Sequence, residues 1–220
     1  MNFEAAFNFL QKLSKNNNRE WFEKNKPKYL DIKADFETFV TDLYEGMLEF
    51  DDSLAGQDPK KLLFRIYRDV RFSKDKRPYK KNISAAFSSA GKGMARPGYY
   101  LHIEPGDKSF IGIGLYSPIP ETLQKVRQEI DYNGDNLKQI LTDKKFKKYF
   151  PALWNEDTLK TSPKGYDKDH PYMAWLKLKS FIVTHSFPDT IVTSKKFKTQ
   201  VLTMMKEGKR LNDFLGEAMG

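Results

Sequence analysis

The stretch YYLHIEPGDKSFIGIGLY, residues 99–116, decides the predicted fold. Its two ends, 99–104 and 110–116, are apolar and rich in β-branched and aromatic residues. Between them, Pro105-Gly106-Asp107 is typical of a tight turn, because proline presets one backbone angle and glycine and aspartate tolerate positive φ. We therefore predict a β-hairpin.

The strand pattern extends to both sides of this hairpin. Further runs with apolar alternation or β-rich composition lie at 62–72, 82–88 and 176–187. Most of the connections are short, which favours an antiparallel arrangement of consecutive strands. We predict a central antiparallel sheet of about five strands.

Helical spacing predominates toward the two ends of the chain. Asn18 is a good cap for a short helix, and Pro27 suits the first turn of the next one. The segment 194–219 predicts one or two helices broken near Gly208. We therefore predict one α+β domain over residues 1–220, with N-terminal and C-terminal helices flanking the sheet.

Composition excludes several kinds of chemistry. The 220 residues contain no cysteine, which excludes disulfides, thiolate catalysis and cysteine-ligated zinc or iron–sulfur centres. We expect a cytoplasmic location. The chain start does not have the pattern of a secretory signal, and no run of apolar residues is long enough to span a bilayer. We expect no membrane partner, no cofactor and no metal.

The net charge of +9 is concentrated in RIYRDVRFSKDKRPYKKN, residues 65–82, which contain eight basic side chains and two aspartates. As a strand, this run has one polar face, and Arg68 falls in the apolar series. A guanidinium there needs a partner, and Glu104 and Asp75 are the candidates. The following turn presents Lys74, Lys76 and Arg77 together.

The leading hypothesis is therefore a site for an unknown anion, holding phosphate or carboxylate groups. Nucleic acid is one candidate partner, although no recognised binding motif is present. The predicted anion-binding residues are Arg65, Arg68, Arg71, Lys74, Lys76, Arg77 and Lys80. Supporting residues are Tyr67, Asp69, Asp75, Tyr79, Tyr100, His102 and Glu104.

Two alternatives remain open at the level of sequence. In the first, the protein is an enzyme for a small anionic substrate: Arg68, Arg71 and Lys76 hold the anion, and Asp69, His102 or Glu104 is the acid or base. In the second, the charged run is an ion-pair network with a structural or interaction role. The sequence does not define the oligomeric state.

Two local features bear on these alternatives. The loop 163–171 carries Asp167, Asp169 and His170. A histidine beside two carboxylates is either a general base or a metal ligand, or Asp169 or His170 caps a helix beginning at Pro171. If this loop meets 72–81, one composite site results. Missing side chains at Gly112 and Gly114 let a helix or a ligand approach the sheet, and we expect the helix around 123–130 to fill that space.

Four stretches carry a family resemblance: NNNREWFEKNKPKY at 16–29, the basic run at 65–82, GYYLHIEP with GIGLYSP at 98–118, and PKGYDKDHP at 163–171. Together they resemble the uncharacterised microbial family known as domain of unknown function 2461. The resemblance spans nearly the whole chain. It implies a single-domain, intracellular α+β protein and implies no activity or catalytic residue.

Overall fold

The computed structural model describes residues 1–93 and 95–220. The chain begins with helices α1 (Phe3–Lys15) and α2 (Arg19–Leu48). Four strands follow, interrupted after the third by three helices. The strands are β1 (Ile83–Ser88), β2 (Gly98–Ile103), β3 (Ser109–Leu115) and β4 (Phe181–Phe187); the later helices are α3 (Pro120–Thr142), α4 (Lys144–Tyr149), α5 (Met173–Leu176), α6 (Asp189–Val192) and α7 (Phe197–Glu217).

The predicted hairpin is present as β2 and β3. The four strands form one antiparallel sheet in the order β1-β2-β3-β4, and Leu101 lies opposite Ile111. Gly106 and Asp107 have positive φ angles of 89° and 59° at the turn. The carboxylate of Asp189 accepts hydrogen bonds from both of their amides, which holds the turn against the start of α6.

The prediction of about five strands is wrong by one, because 62–72 is not a strand. This segment follows a 3₁₀ turn at Pro59–Leu62 and makes only isolated bridges, Leu63 to Ala85 of β1 and Tyr67 to Tyr79. Its backbone hydrogen bonds are therefore divided between β1 and the segment around Tyr79. Neither partner supports a continuous ladder of hydrogen bonds.

Two predicted helix breaks are also absent. Helix α2 is continuous through Pro27, and Asn18 caps it, accepting from the Trp21 amide at 2.9 Å. Buried Phe22 and Ile32 lie on either side of the proline, so core packing offsets the lost hydrogen bond. Helix α7 is continuous through Gly208.

The two faces of the sheet have different surroundings. Helix α7 packs on one face, where a side chain at Gly208 would clash with Ile113 of β3. The alternate residues of the strands, including Gly112, point to the opposite face. A Cβ at Gly112 would be 3.9 Å from Tyr100 and Phe110, so the expectation that the helix around 123–130 fills this space is wrong.

Candidate functional site

A groove of about 680 Å³ lies over the sheet face opposite α7. Because its floor contains glycines, the space above the strands is not filled by side chains. Aromatic rings form its walls, and ligand sites of this size are typically concave, apolar and equipped with a few polar groups. The lining residues are Phe64, Lys92, Gly93, Tyr100, Phe110, Gly112, Gly114, Tyr116, Trp154, Ile182 and Thr184.

The aromatic walls are held by contacts with one another. Tyr100 packs against Phe64 with ring centres 6.0 Å apart and against Phe110 at 5.7 Å. At another part of the groove, Tyr116 packs against Trp154 at 6.1 Å. Flat apolar surfaces on several sides suit a ring or another flat apolar group.

Three cations cluster near Phe64. The Nζ atom of Lys80 lies 5.1 Å from the centre of the Phe64 ring. Burial, followed by the charges of Arg65 and Lys92, lowers the pKa of Lys80 below its ordinary value. Within residues 1–93 and 95–220, none of the three forms an ion pair with a carboxylate, and Lys92 donates to the carbonyl of Leu63 at 3.3 Å.

A hydrogen-bonded chain leads away from the groove through Tyr100, His102 and Glu104. The Tyr100 hydroxyl lies 3.2 Å from Nδ1 of His102, and Nε2 of His102 lies 3.0 Å from Oε2 of Glu104. Because a carboxylate only accepts, Nε2 carries the proton, and Nδ1 of the neutral ring accepts from Tyr100. The His102 ring also stacks on Phe110 at 4.8 Å.

The pKa values of this chain favour its neutral form. Burial lowers the pKa of His102 below 6.5, and the Glu104 carboxylate opposes that shift in part. Burial raises the pKa of Tyr100, which keeps its hydroxyl protonated. At neutral pH, His102 is therefore an unprotonated acceptor for the proton of Tyr100.

A smaller cleft of about 200 Å³ contains much of the predicted basic site. Asp75 is the partner of Arg68, at 2.8 Å, and also binds Arg77 at 2.6 Å. The Arg77 hydrogen bonds, with Arg68 contributing less, lower the pKa of Asp75. The lining residues are Arg68, Asp75, Arg77, Tyr79, Lys80, Lys81, Asn82 and Glu104.

Lys80 and Glu104 connect the two concavities, since each lines the cleft and also contacts a groove residue or its hydrogen-bonded chain. Of the predicted residues, Tyr100 lines the groove itself. His102 and Glu104 follow it in the hydrogen-bonded chain, and Lys80 lies beside the groove residue Phe64. Arg68, Asp75, Arg77 and Tyr79 lie in the cleft, where the two arginines share the single carboxylate of Asp75.

The remaining predicted residues lie outside both concavities. Arg71 is paired with Asp69 at 2.7 Å, and Lys76 donates to the carbonyl of Val70 at 3.1 Å. Lys74 is exposed on the turn. Tyr67 packs against Tyr79 and Phe22, so it has a packing role in the structure.

The loop 163–171 lies against α3. His170 contacts Asp131 at 2.9 Å through Nε2, and its Nδ1 accepts from the Tyr172 amide. Helix α5 begins at Met173, so the predicted start at Pro171 is wrong by two residues. Among the described residues, no hydrogen bond or ion pair joins this loop to 72–81.

Sequence reasoning missed several groove residues, among them Phe64, Lys92, Trp154 and Thr184. They come from four separate segments and converge only after the sheet has formed. The available signal was the pair Gly112 and Gly114, whose missing side chains predicted close approach of a helix or a ligand.

The described residues offer no group of three or more histidine or acidic side chains placed to hold a metal ion. Among residues 1–93 and 95–220, no helix is long and apolar enough to cross a membrane.

Comparison with known proteins gives one match. A family model described as "Conserved hypothetical protein (DUF2461)" matches residues 5–214 of the 220. No curated protein and no solved structure matches the chain. The match covers nearly all of the sequence, and the chain therefore belongs to the DUF2461 family.

Proposed function

We propose that the protein binds a small organic anion, with an aromatic or other flat apolar body in the groove and its anionic group near Lys80. The observation that carries this proposal is the cluster of Arg65, Lys80 and Lys92 beside an apolar groove. Burial, followed by the charges of Arg65 and Lys92, lowers the pKa of Lys80, and a bound carboxylate, sulfonate or phosphate supplies an opposite charge to this cluster.

The groove favours a small ligand over a nucleic acid strand. Its cations lie at one location, near Phe64, whereas a polymer needs charges spaced along a path. The more exposed basic turn is a poor phosphate track, because Arg68, Arg71 and Arg77 already bind Asp75 or Asp69. The single location of the groove cations therefore favours a ligand with one anionic group.

Replacing Lys80 with methionine should weaken binding of 2-naphthoate at least about tenfold. The substitution keeps most of the aliphatic length and removes one charge-assisted interaction, which is worth about 1.5–3 kcal/mol. Isothermal titration calorimetry measures the change in affinity. The titration is done at about 0.15 M salt, which screens distant charges. The neutral analogue 2-naphthylmethanol should bind wild type about as weakly as 2-naphthoate binds the Lys80→Met variant.

Lys74→Met is the matched control, because it removes the same charge from the exposed turn and should change affinity less than about twofold. Equal losses in the two variants would show that only the overall charge matters. Equal affinity of wild type for the acid and the alcohol would contradict the anion site.

A second candidate function is acid–base catalysis, favoured by the Tyr100–His102–Glu104 chain. A substrate proton moves to the Tyr100 oxygen while the Tyr100 proton passes to Nδ1 of His102, and the electron pair of the broken bond stays on the substrate. Glu104 stabilises the imidazolium, and Lys80 faces the new anion. This arrangement has the geometry of a base held by a third group.

Phenylpyruvate is a suitable probe, because it has a ring, a carboxylate and exchangeable protons beside its ketone. We expect the protein to accelerate its proton exchange in D₂O, as measured by NMR. Tyr100→Phe and His102→Gln should each lower the protein-dependent rate at least about 100-fold. The rate should be constant near neutral pH and fall below the ordinary histidine pKa of 6.5, since protonated His102 is no longer a base.

Tyr116→Phe removes the other groove tyrosine hydroxyl and should leave the exchange rate nearly unchanged. A protein-dependent rate that survives Tyr100→Phe would contradict this assignment. Binding of phenylpyruvate without any exchange above buffer would leave the binding function in place and eliminate the catalytic one.

A further inference from the structure

We infer that the ligand of the groove is elongated, and that its far end is an aromatic ring bound in a separate subsite on Tyr116 and Trp154. This inference rests on the proposed anion site near Lys80 and narrows the class of ligand to an organic anion with two rings in line. It follows from the direction in which the groove crosses the sheet.

The groove runs across the strands, from one edge of the sheet to the other. At the first edge, the amide of Phe64 donates to the carbonyl of Ser84 in β1 at 2.9 Å, and at the second edge, the amide of Trp154 donates to the carbonyl of Ile182 in β4 at 2.8 Å. Phe64 and Trp154 therefore flank opposite edge strands and line the same groove. Because β1 and β4 are three interstrand spacings apart, about 14 Å of sheet lies between the two ends.

The floor of the groove is open between its two ends. The register places Tyr100, Gly112 and Thr184 side by side on β2, β3 and β4, and Gly114 lies opposite Ile182 in the next row. Both glycines lack a side chain at the middle of the groove. A ligand can therefore lie across β3 and extend from one end to the other.

The two ends of the groove differ in charge. At the Phe64 end, the Nζ atom of Lys80 lies 5.1 Å from the centre of the ring, and Lys92 donates to the carbonyl of Leu63 at 3.3 Å. Of the residues that line the groove in the described part of the chain, Lys92 alone is charged. The anionic group of the ligand therefore belongs at the Phe64 end, and its other end must be uncharged to lie near Trp154.

The uncharged end has the properties of a subsite for an aromatic ring. The Tyr116 and Trp154 rings are tilted by 50° with their centres 6.1 Å apart, and Tyr116 is still 59% exposed. A third ring can pack on this pair in a stacked or edge-to-face arrangement and cover its open surface. The hydrogen bond from the Trp154 amide to β4 holds the pair beside the sheet.

The probe is trans-stilbene-4-carboxylate, which is flat and carries its second ring in line with the ring that bears the carboxylate. We expect it to bind at least about tenfold more tightly than benzoate, because its second ring is buried on Tyr116 and Trp154. Titration of ¹⁵N-labelled protein followed by NMR gives both Kd values. The indole N–H resonance of Trp154 should shift with the stilbene acid and stay in place with benzoate.

Trp154→Ala is the decisive variant. It should weaken binding of the stilbene acid at least about tenfold and change benzoate binding less than about twofold, because benzoate occupies only the Phe64 end. Trp21→Ala is the matched control, since Trp21 is also partly buried but packs against Phe9 and lines a concavity between α1 and α2. It should leave both affinities within about twofold of wild type. Equal losses for the two acids in Trp154→Ala would contradict a separate subsite.

Thr184→Phe provides a second route if Trp154→Ala does not fold. Thr184 is partly buried on β4, opposite Gly112, and phenylalanine is well tolerated in strands. The added ring narrows the passage toward Trp154. It should weaken the stilbene acid at least about tenfold and benzoate less than about threefold.

Lys80→Met separates this inference from the proposed anion site. If the stilbene acid binds no more tightly than benzoate, and benzoate binding still falls in Lys80→Met, the far subsite is overturned and the anion site stands. If the acid and the neutral trans-4-stilbenemethanol bind equally well, and Trp154→Ala weakens both, the subsite stands and the anion site is overturned. Absence of saturable binding by either acid would overturn both.

Discussion

Gly114→Ala should destabilise the protein by more than about 3 kcal/mol. Gly114 has a φ angle of 126°, which side-chain-bearing residues rarely adopt and which costs about 1–3 kcal/mol. An added Cβ would also clash with the backbone carbonyl of Phe181 in the adjacent strand β4. A backbone atom within a sheet cannot move aside as a flexible side chain does, so the β3–β4 pairing must separate locally.

Urea unfolding followed by circular dichroism gives this change in the free energy of unfolding. Gly112→Ala is the matched control, because it lies two residues away in the same strand. Its added Cβ would meet nothing closer than 3.9 Å, and we expect a change of less than about 1 kcal/mol. Similar losses in the two variants would show that the strand tolerates no side chain at either glycine, which contradicts the close approach described for Gly114 alone.

The sequence predicted some elements of the fold and not others. Alternation and turn chemistry located the hairpin and the strand at 82–88, since those signals are local. The strand predicted at 176–187 is present only from Phe181, because Leu176 ends helix α5. The segment 62–72 has the same alternation and is not a strand, because its backbone partners are divided between β1 and Tyr79. The tertiary structure determines which backbone segments pair with each other.

The residues of the candidate site also divide into those that a local pattern predicts and those that it does not. Tyr100, His102 and Glu104 were predictable as one face of a strand, because side chains two residues apart share a face. The pairing of Arg68 with Asp75 was among the predicted alternatives. In contrast, the approach of Lys92 and Trp154 to the sheet depends on loops far apart in the chain, and no local pattern encodes it.

In the basic run, apolar alternation also did not predict correctly which side chains are buried. Phe72 continues the apolar alternation, yet it is 96% exposed, and Arg71 lies 5.8 Å from the centre of its ring. Alternation indicates which side chains share a direction and does not show that a core lies on that side. The basic run therefore ends in a solvent-exposed turn instead of extending the sheet.

Gly112→Leu should abolish binding of 2-naphthoate, weakening it at least about 100-fold. Gly112 is on the floor of the groove, and the nearest atoms to an added Cβ belong to Tyr100 and Phe110. A leucine side chain therefore enters the space that the apolar body of the ligand must occupy, and a loss of about 2.7 kcal/mol or more corresponds to this factor. The side chain points away from α7 and its core contacts, so the Tm should change by only a few degrees.

Calorimetric titration of the variant, with Gly112→Ala as an intermediate step, checks whether affinity falls with side-chain size. Arg77→Gln separates the groove from the neighbouring basic cleft, where Arg77 binds Asp75. If the anion and its body occupy the groove, Gly112→Leu removes binding and Arg77→Gln changes it less than about threefold. The reverse result, with binding lost in Arg77→Gln and kept in Gly112→Leu, would move the ligand to the cleft. Because the two substitutions lie on different segments and only Gly112 belongs to the sheet, no general loss of stability produces both patterns.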